Sequence, residues 1–377
     1  GYTGSYDNLI RKMELDAIAK KLNIAMESLA PFFQQLEQMG IVSSGLPTDE
    51  IIADYRKRVS EYNCQQQQTV ELTTQEKLPY AISNAEQLFT EKVGGITSVM
   101  LELTYRCSEK CIHCYNEGAT RNEYEISTRG DREELTFDDY IRIIDELYEQ
   151  GLIKVCLTGG DPFSKSFAWD LIDHLYKKGI DFDVFTNGQS IVNDVERLAN
   201  YYPRLVGVSI YSGIAEVHDY ITRIKGSWEK SMSVVRQLSV SGVPLNLKCC
   251  VMRPNVKSYY MVADIAKKYG AVPQFEINLT DSIEGDKCVS KYLRMTEVQL
   301  EIVLRDSNIA LYVGKEAPNY GGMKRNMNES PCGAGFNSFC ITPEGYLIPY
   351  CSFHTNLGNL KQESVVGIIN NSTELSY

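Results

Sequence analysis

The sequence predicts an α/β protein centred on a partial (β/α)6 TIM-like barrel, with an N-terminal winged-helix-like unit and a small C-terminal cysteine-rich unit. From Thr97 onward, short strand-like runs alternate with amphipathic helical patterns, which is the signature of a parallel α/β sheet. The length of 377 residues is roughly two to three times that of a typical domain. We therefore expect more than one packed unit. With 43% hydrophobic and 23% charged residues, the composition is that of a globular chain.

The patterning divides the chain into five segments. They are a winged-helix-like unit (1–45), a connector (46–95), the barrel (96–285), a bridge (286–330) and the C-terminal unit (331–377). Within the barrel the predicted strands are Ser98 to Thr104, Lys154 to Thr158, Asp181 to Thr186, Leu205 to Ile210, Pro244 to Val251 and Gln274 to Leu279. Six strand–helix steps place the functional site at the carboxyl ends of the strands.

The first barrel helix has a clear start signal. Thr136 and Asp139 have the spacing of a capping box, so we expect a helix over 137–150. Phe137, Ile141, Ile144 and Tyr148 recur at helical spacing and predict its buried face. In the C-terminal unit, residues 341–348 with Thr342-Pro-Glu-Gly at their centre predict a hairpin.

Charge and hydropathy exclude several classes of partner. The N-terminal unit has the outline of a helix-turn-helix, but its last helix, from about Ala30 to Met39, contains Glu37 and no Lys or Arg. The whole chain carries a net charge of −11, which opposes binding to nucleic acid or anionic lipid. No apolar run approaches the roughly 20 residues needed to span a bilayer. No secretion signal is present, so we expect a cytoplasmic protein with no membrane partner.

Eleven cysteines are many for such a protein, and clustered thiols in a reducing compartment indicate metal or redox chemistry. One group is Cys107, Cys111 and Cys114, on a loop directly after the first predicted strand. Thiolates at such spacings hold iron–sulfur clusters, and a cubane of four irons on three thiolates keeps one iron open. A zinc site, with His113 as a further ligand, is the alternative that the spacing leaves open.

The Cys-x3-Cys-x2-Cys loop resembles that of the radical S-adenosylmethionine (radical SAM) enzymes. Further matches follow on successive strand ends. They are Gly159-Gly160-Asp161-Pro162, similar to the Gly-Gly-Glu-Pro stretch of that family, Thr186-Asn187-Gly188, Val208-Ser209-Ile210, and His218 to Arg223 followed by Gly226-Ser227-Trp228. The resemblance covers about residues 97–285. Taken singly, these are also common turn and core residues, but four ordered matches on one sheet favour the functional interpretation.

The resemblance implies a [4Fe–4S] cluster whose open iron binds S-adenosylmethionine, with reductive cleavage to an adenosyl radical. Gly159 and Gly160 would allow close approach of the cofactor, and Asp161 would accept a hydrogen bond from its ammonium group. Asn187 would also contact the cofactor, and Ser209 would bind its ribose or carboxylate. Arg223 would pair with the carboxylate, and His113 would stack on the adenine.

The second cysteine group, Cys332, Cys340 and Cys351, resembles the opening of the SPASM auxiliary-cluster domain. Cys332-Gly-Ala-Gly leads to the hairpin glycine Gly345 and then to Cys351, with one residue more than usual between the last two. The resemblance implies at least one auxiliary iron–sulfur cluster and further ligands beyond Tyr377. Because the printed sequence also starts at Gly1 instead of Met, we expect a longer natural chain. A structural role for Cys340 is the alternative.

The N-terminal unit resembles the recognition element with which peptide maturases capture a leader peptide by strand addition. The combined resemblance implies a maturase that crosslinks a ribosomally made precursor peptide through a thioether or carbon–carbon bond. An external one-electron donor such as flavodoxin or ferredoxin is implied as a partner. Two alternatives stay open: a maturase of the anaerobic sulfatase-activating type, and an iron–sulfur electron carrier without chemistry of its own.

Overall fold

The computed structural model describes residues 96–116, 134–281, 287–306, 334–335, 337–353 and 355–372, with five isolated positions between 25 and 34. The predicted winged-helix-like unit and the connector lie outside the described residues, apart from those isolated positions. Cys332 also lies outside them. The barrel and the C-terminal hairpin are therefore the parts that the structure tests.

Six parallel strands in chain order form the centre of the fold. They are β1 (Ser98–Glu102), β2 (Lys154–Thr158), β3 (Asp181–Thr186), β4 (Leu205–Ser209), β5 (Leu245–Cys250) and β6 (Val272–Glu276). Each strand pairs with the next one in the chain. The predicted parallel α/β sheet is confirmed. The sixth strand lies two to three residues earlier than predicted, because its partner β5 ends at Cys250, opposite Glu276.

Helices connect the strands and cover the outer face of the sheet. They are α1 (Phe137–Glu149), α2 (Ala168–Lys178), α3 (Val195–Ala199), α4 (Ala215–Thr222), α5 (Ser227–Val240) and α6 (Met261–Tyr269), with a short 3-10 turn at Pro162–Ser164. After β6, α7 (Lys287–Leu293) and α8 (Glu297–Leu304) occupy part of the predicted bridge. Gly179 and Gly270 end α2 and α6 in the left-handed conformation that favours glycine.

The start of α1 is as predicted, but its buried face is rotated. Thr136 and Asp139 form the capping box, with the Thr136 hydroxyl accepting from the Asp139 amide at 3.3 Å. The fully buried side chains are Tyr140, Ile143, Ile144 and Leu147. Phe137, Ile141 and Tyr148 pack only at the margin of the core. The prediction failed here because several apolar stripes of α1 overlap, and the sequence pattern alone does not rank them.

The two faces of the sheet have different chemistry. On β1, the side chains of Val99 and Leu101 are buried in the main core between sheet and helices. Met100 and Glu102 point to the opposite, inner face, since successive strand residues alternate. This inner face is polar in many positions on the other strands as well, which is unusual for a parallel sheet whose two faces are both packed.

The C-terminal segment extends the same sheet and does not form a separate layer. Strand β7 (Ser338–Ile341) pairs in parallel with β1, and β8 (Tyr346–Ile348) and β9 (Gly358–Asn359) follow in antiparallel order. The predicted hairpin is therefore confirmed as β7–β8. Its turn is closed by Gly345, whose φ of 91° suits glycine. The last helix, α9 (Val365–Asn371), contacts α1.

No helix among the residues that the structure describes combines the length and the apolar character that a bilayer crossing requires.

The capping box of α1 provides a test of the fold. Replacing Thr136 by Ala removes the oxygen that accepts from the Asp139 amide, so we expect Thr136→Ala to lower the free energy of unfolding by about 1 kcal/mol. Thr136→Ser retains the hydroxyl and is the matched control. Urea unfolding followed by circular dichroism measures both. Equal stability of the two variants would contradict this role of Thr136.

Candidate cofactor and cluster site

A cavity of about 570 Å³ lies against the inner face and carboxyl ends of the strands. Each of the six parallel strands contributes one or more residues to its wall: Met100, Thr158, Phe185, Ser209, Lys248 and Gln274 are examples in strand order. Strands at opposite ends of the six-stranded series therefore face one cavity, so the sheet curves around it as a partial barrel does. This is the position that the sequence predicts for the site.

The three cysteines of the first group all line this cavity. Their loop is fixed to the end of α4 by backbone hydrogen bonds. The Lys110 amide donates to the Thr222 carbonyl at 3.0 Å, and the Ile112 amide donates to the Ile221 carbonyl at 2.9 Å. The loop is thus attached to β1 at its start and hydrogen-bonded to the end of α4, and these two attachments fix the thiols relative to the barrel.

The Gly159-Gly160 turn supports this loop and is packed against its backbone. A Cβ atom on Gly160 would lie 2.3 Å from the Arg106 carbonyl oxygen, and one on Gly159 would lie 2.4 Å from that of Thr104. The Gly160 amide donates to the Thr104 carbonyl at 2.7 Å. Both glycines also line the cavity. The two glycines lack side chains because the backbone before the cysteine loop occupies that space. The sequence had instead suggested the close approach of a cofactor as the reason.

Asp161 has a different environment from the one expected of a cofactor ligand. Its carboxylate is fully buried and accepts from the Thr186 hydroxyl at 2.6 Å, the Asn187 amide at 3.1 Å and the Phe163 amide at 3.1 Å. The residue is not part of the cavity wall. Burial raises the pKa of Asp161, against these hydrogen bonds. Asp161 therefore joins the turn after β2 to the turn after β3 and does not face a cofactor in the cavity.

Asn187 reaches the cysteine loop directly. Its side-chain amide donates to the Cys107 sulfur at 3.2 Å and to the Ser108 hydroxyl at 3.4 Å. The Glu109 backbone amide donates to the same sulfur at 3.4 Å. Two N–H donors on one sulfur stabilise negative charge there, which is a feature that tunes iron–sulfur clusters.

The thiols are buried beside carboxylates. Burial, and then the negative charge of Asp161, raise the pKa of Cys107, and burial likewise raises that of Cys111. Thiolates in such a setting require a nearby cation, and a metal centre supplies one. Three thiolates on one loop are the ligands that iron–sulfur clusters use, so the donor set fits such a cluster.

His113, Ser209 and Tyr211 all line the cavity. The His113 ring packs edge-on against Tyr211, with ring centroids 4.7 Å apart. Burial lowers the pKa of His113 to about 4, so the ring is neutral at pH 7. A neutral aromatic ring at the wall suits packing against an adenine.

Arg223 lies at the rim of the cavity, exposed, at the end of α4. Its φ of 58° is in the left-handed region, which costs energy for a residue other than glycine. This backbone conformation directs the chain into the segment that precedes α5. The expected partner of Arg223, a cofactor carboxylate, stays a proposal.

The neighbouring Asp219 has a structural role. Its carboxylate accepts from the amides of Gly226 and Trp228 and from the Ser227 hydroxyl at 2.5, 2.9 and 3.0 Å. It therefore caps the start of α5. Partial burial opposes ionisation, but these hydrogen bonds hold the pKa of Asp219 below its usual value. The family-like motif around residues 218–228 thus builds the wall and does not touch the cavity through Asp219.

The second cysteine group is brought to the same cavity in part. Cys351 lines it, whereas Cys340 is fully buried on β7, packed with Cys351, Ile348 and Met100. Cys332 lies outside the described residues, so this ligand is not tested. The structure places two of the three expected thiols together.

Several residues of the cavity were not identified from the sequence. Lys248 has its ammonium 3.3 Å from the centre of the Phe185 ring, and Gly207 leaves the space for this pair. Glu109 is buried, and burial raises its pKa to about 8. The alternation Leu245-Asn-Leu-Lys in β5 was the available signal, because polar residues every second position mark a strand with a polar face.

Comparison with known proteins gives an independent result. The radical SAM superfamily model matches residues 101–258. This range includes all three cysteines of the loop and the turns after β2 and β3. The chain therefore contains a radical SAM domain.

Two curated relatives match this chain at moderate identity. The antilisterial bacteriocin subtilosin biosynthesis protein AlbA of Bacillus subtilis (strain 168) is 26% identical over 280 residues, covering 71% of this chain and 58% of AlbA. Mycofactocin maturase MftC of Mycobacterium tuberculosis (strain ATCC 25618 / H37Rv) is 31% identical over 172 residues, covering 45% and 41%. The chain thus spans about half the length of these two relatives.

The radical SAM domain also has neighbours among solved structures. Streptococcus suis SuiB bound to S-adenosylmethionine aligns with a TM-score of 0.56 at 14% identity, covering 91% of this chain and 77% of SuiB. SuiB bound to the precursor peptide SuiA aligns with a TM-score of 0.54 at 13% identity, covering 92% and 79%. At this identity the likeness shows a shared fold.

The close contact at Gly160 gives a testable consequence. We expect Gly160→Ala to displace the cysteine loop, because the added Cβ meets the Arg106 carbonyl. Overpacking of this kind costs about 1–3 kcal/mol, and we expect reconstituted iron per chain to fall. Gly367→Ala, where only the Ser364 hydroxyl is near at 3.0 Å, is the control. Unchanged iron content and melting temperature in Gly160→Ala would refute this role of the glycine.

The cap formed by Asp219 makes stability depend on pH. Because the folded state lowers its pKa, Asp219 stabilises the protein above the unfolded value of about 4 and loses this contribution as the pH falls below it. We expect Asp219→Asn to cost about 1 kcal/mol at pH 7 and progressively less below pH 4. Denaturant titrations of both proteins between pH 3 and pH 7 measure this difference. A difference that stays constant over that range would contradict the prediction.

Proposed function

We propose that this protein is a radical SAM maturase that reductively cleaves S-adenosylmethionine and abstracts hydrogen from a ribosomally made precursor peptide to form a crosslink. One observation carries the proposal: the three loop thiols, the turns after β2 and β3, Ser209 and Cys351 all face one cavity. A site for cofactor cleavage and a thiol of the C-terminal hairpin thus share the same space.

The loop thiols Cys107, Cys111 and Cys114 are the residues that would hold the [4Fe–4S] cluster. Three thiolates would leave one iron of such a cluster open to S-adenosylmethionine, and the chemistry supplied there would be one-electron cleavage of a carbon–sulfur bond. Asn187 stabilises the charge on the Cys107 sulfur through its amide. The turn at Gly160 fixes the loop, and so positions all three thiols.

Cations and hydroxyls at the cavity wall suit the rest of the cofactor. The Arg223 guanidinium at the rim would bind a carboxylate, and the Ser209 hydroxyl in the cavity wall would bind a ribose or carboxylate. His113 would pack against the adenine. Two observations support these roles: each residue lines the cavity, and each side chain has the chemistry that the corresponding part of the cofactor requires.

The mouth of the cavity supports a peptide as the substrate. Glu276, Asn278, Tyr350 and Ser352 are exposed residues of the cavity wall. The Thr280 hydroxyl donates to that of Ser352 at 3.4 Å, so the end of β6 meets the C-terminal segment there. A rim of amides and hydroxyls offers hydrogen bonds to the backbone of a bound peptide.

The names of the relatives favour the same substrate class. AlbA acts in the biosynthesis of the bacteriocin subtilosin, MftC is a mycofactocin maturase, and SuiB has been crystallised with its precursor peptide SuiA. By extension we propose a precursor peptide for this chain, with its leader bound by residues 1–45 and a thioether or carbon–carbon crosslink as the product. A flavodoxin or ferredoxin would supply the electron.

Cofactor cleavage is the first test. Anaerobically reconstituted protein, reduced with dithionite and mixed with S-adenosylmethionine, is expected to release 5′-deoxyadenosine and methionine. Cys111→Ala should abolish the release, because it removes one of the three thiolates of the cluster. Cys156→Ala, at a buried thiol that is not part of the cavity wall, is the matched control. Release by the Cys111 variant, or none from the parent protein, would contradict the assignment, and the latter would favour an electron carrier.

The substrate is tested by co-expression. The chain is produced together with a precursor peptide from the same gene neighbourhood, and the peptide is analysed by mass spectrometry. A loss of 2 Da per crosslink, fixed by the removal of two hydrogens, is the expected result, with tandem spectra locating the bond. Oxidation of a Cys or Ser without a crosslink would instead favour the sulfatase-activating type.

A further inference from the structure

Glu102 is a buried carboxylate that the proposed cofactor site does not use. It is the last residue of β1 and is fully buried. One of its oxygens, Oε1, accepts from the Tyr115 hydroxyl at 2.9 Å. The other, Oε2, has no hydrogen-bond partner. An unpartnered buried carboxylate oxygen is costly and needs an explanation.

The sheet register places Glu102 beside the second cysteine group. Met100, two residues earlier on the same face of β1, pairs with Cys340 on β7. Cys340 and Cys351 pack together next to Met100. Glu102 is two residues further along the same face of β1, so it lies diagonal to Cys340 across the β1–β7 pair. Two thiols and one bare carboxylate oxygen thus share one buried region.

Among the described residues Glu102 forms no salt bridge, and the cation on this side of the sheet, Lys248, lines the cavity together with Cys351. Several potentially anionic groups buried together are tolerated when they bind a metal centre.

We propose that Glu102 supplies, through Oε2, an oxygen ligand to a second iron–sulfur cluster that is also bound by Cys340 and Cys351. Tyr115 holds the other carboxylate oxygen and so orients the ligand, as second-sphere groups commonly do. The inference rests on the proposed function for the presence of a second cluster. It adds to that function a ligand that comes from the first strand of the barrel and not from the C-terminal cysteines.

The test isolates the second cluster in the full chain. A Cys107→Ala/Cys111→Ala/Cys114→Ala background removes the first cluster, and anaerobic reconstitution with iron and sulfide follows. We expect this background to retain iron and sulfide and to give an electron paramagnetic resonance signal on reduction. Adding Glu102→Gln should lower the iron affinity in chelator competition by about tenfold or more and shift the g values.

Two further variants separate ligation from a structural role. Glu102→Cys offers a thiolate at the same position and is expected to restore the iron affinity with a different reduced spectrum. Asp183→Asn is the matched control, because Asp183 is a buried carboxylate on β3, paired in register with Cys156 and bound to Arg204. It should leave iron affinity and spectrum unchanged.

Three outcomes would overturn the inference. They are an unchanged spectrum and affinity in the Glu102→Gln variant, an equal change in the Asp183→Asn variant, and a background that binds no iron at all. The last outcome excludes a second cluster, but it does not affect the assignment of the first cluster to the three loop cysteines. Formation of 5′-deoxyadenosine by the chain with its three loop cysteines would then still support the proposed function.

Discussion

The site depends on the close approach of two backbone segments, the Gly159-Gly160 turn after β2 and the chain that follows β1. The Gly160 amide bonds the Thr104 carbonyl at 2.7 Å, and the Asp161 amide bonds that of Arg106 at 2.9 Å. Any side chain at either glycine would occupy the space of a carbonyl group. The loop of cysteines is therefore positioned by main-chain contacts, which are less adjustable than side-chain packing.

A series of hydrogen bonds connects this backbone contact to the Cys107 sulfur. Asp161 follows the glycines and binds the Thr186 hydroxyl and the Asn187 amide of the turn after β3. The side chain of Asn187 then donates to the Cys107 sulfur. Three successive strand ends are thus joined around the first cysteine. A displacement of any one of these turns moves the sulfur or its donor, which explains why the motif residues occur in order along the chain.

The sequence predicted the sheet well because its signals are local. The limits of β2 and β3 follow from short apolar runs between turn residues, and the start of α1 follows from its capping box at Thr136. The three loop cysteines and the turn residues were identified for the same reason, since each lies at a strand end. Their presence on one cavity wall follows from parallel pairing of consecutive strands.

The roles of individual residues were harder to predict because they depend on contacts distant in sequence. Asp161 has the carboxylate expected of a cofactor ligand, yet it binds Thr186 and Asn187, which are 25 and 26 residues away in the chain. Lys248 was overlooked because its significance arises from Phe185 and the gap at Gly207. No spacing rule within one strand reveals a pair formed across three strands.

The attachment of β7 to β1 has a consequence for electron transfer in the proposed maturase. A cluster domain on a flexible linker would leave the separation of its metal from the barrel variable. Here β7 pairs with β1 in register, from Ser98 with Ser338 to Leu101 with Ile341, and the loop of cysteines begins five residues after β1 ends. This pairing therefore fixes the position of Cys340 relative to the strand that leads into the cysteine loop. Since Cys351 also lines the cavity, a substrate bound there would face the loop thiols and Cys351 together.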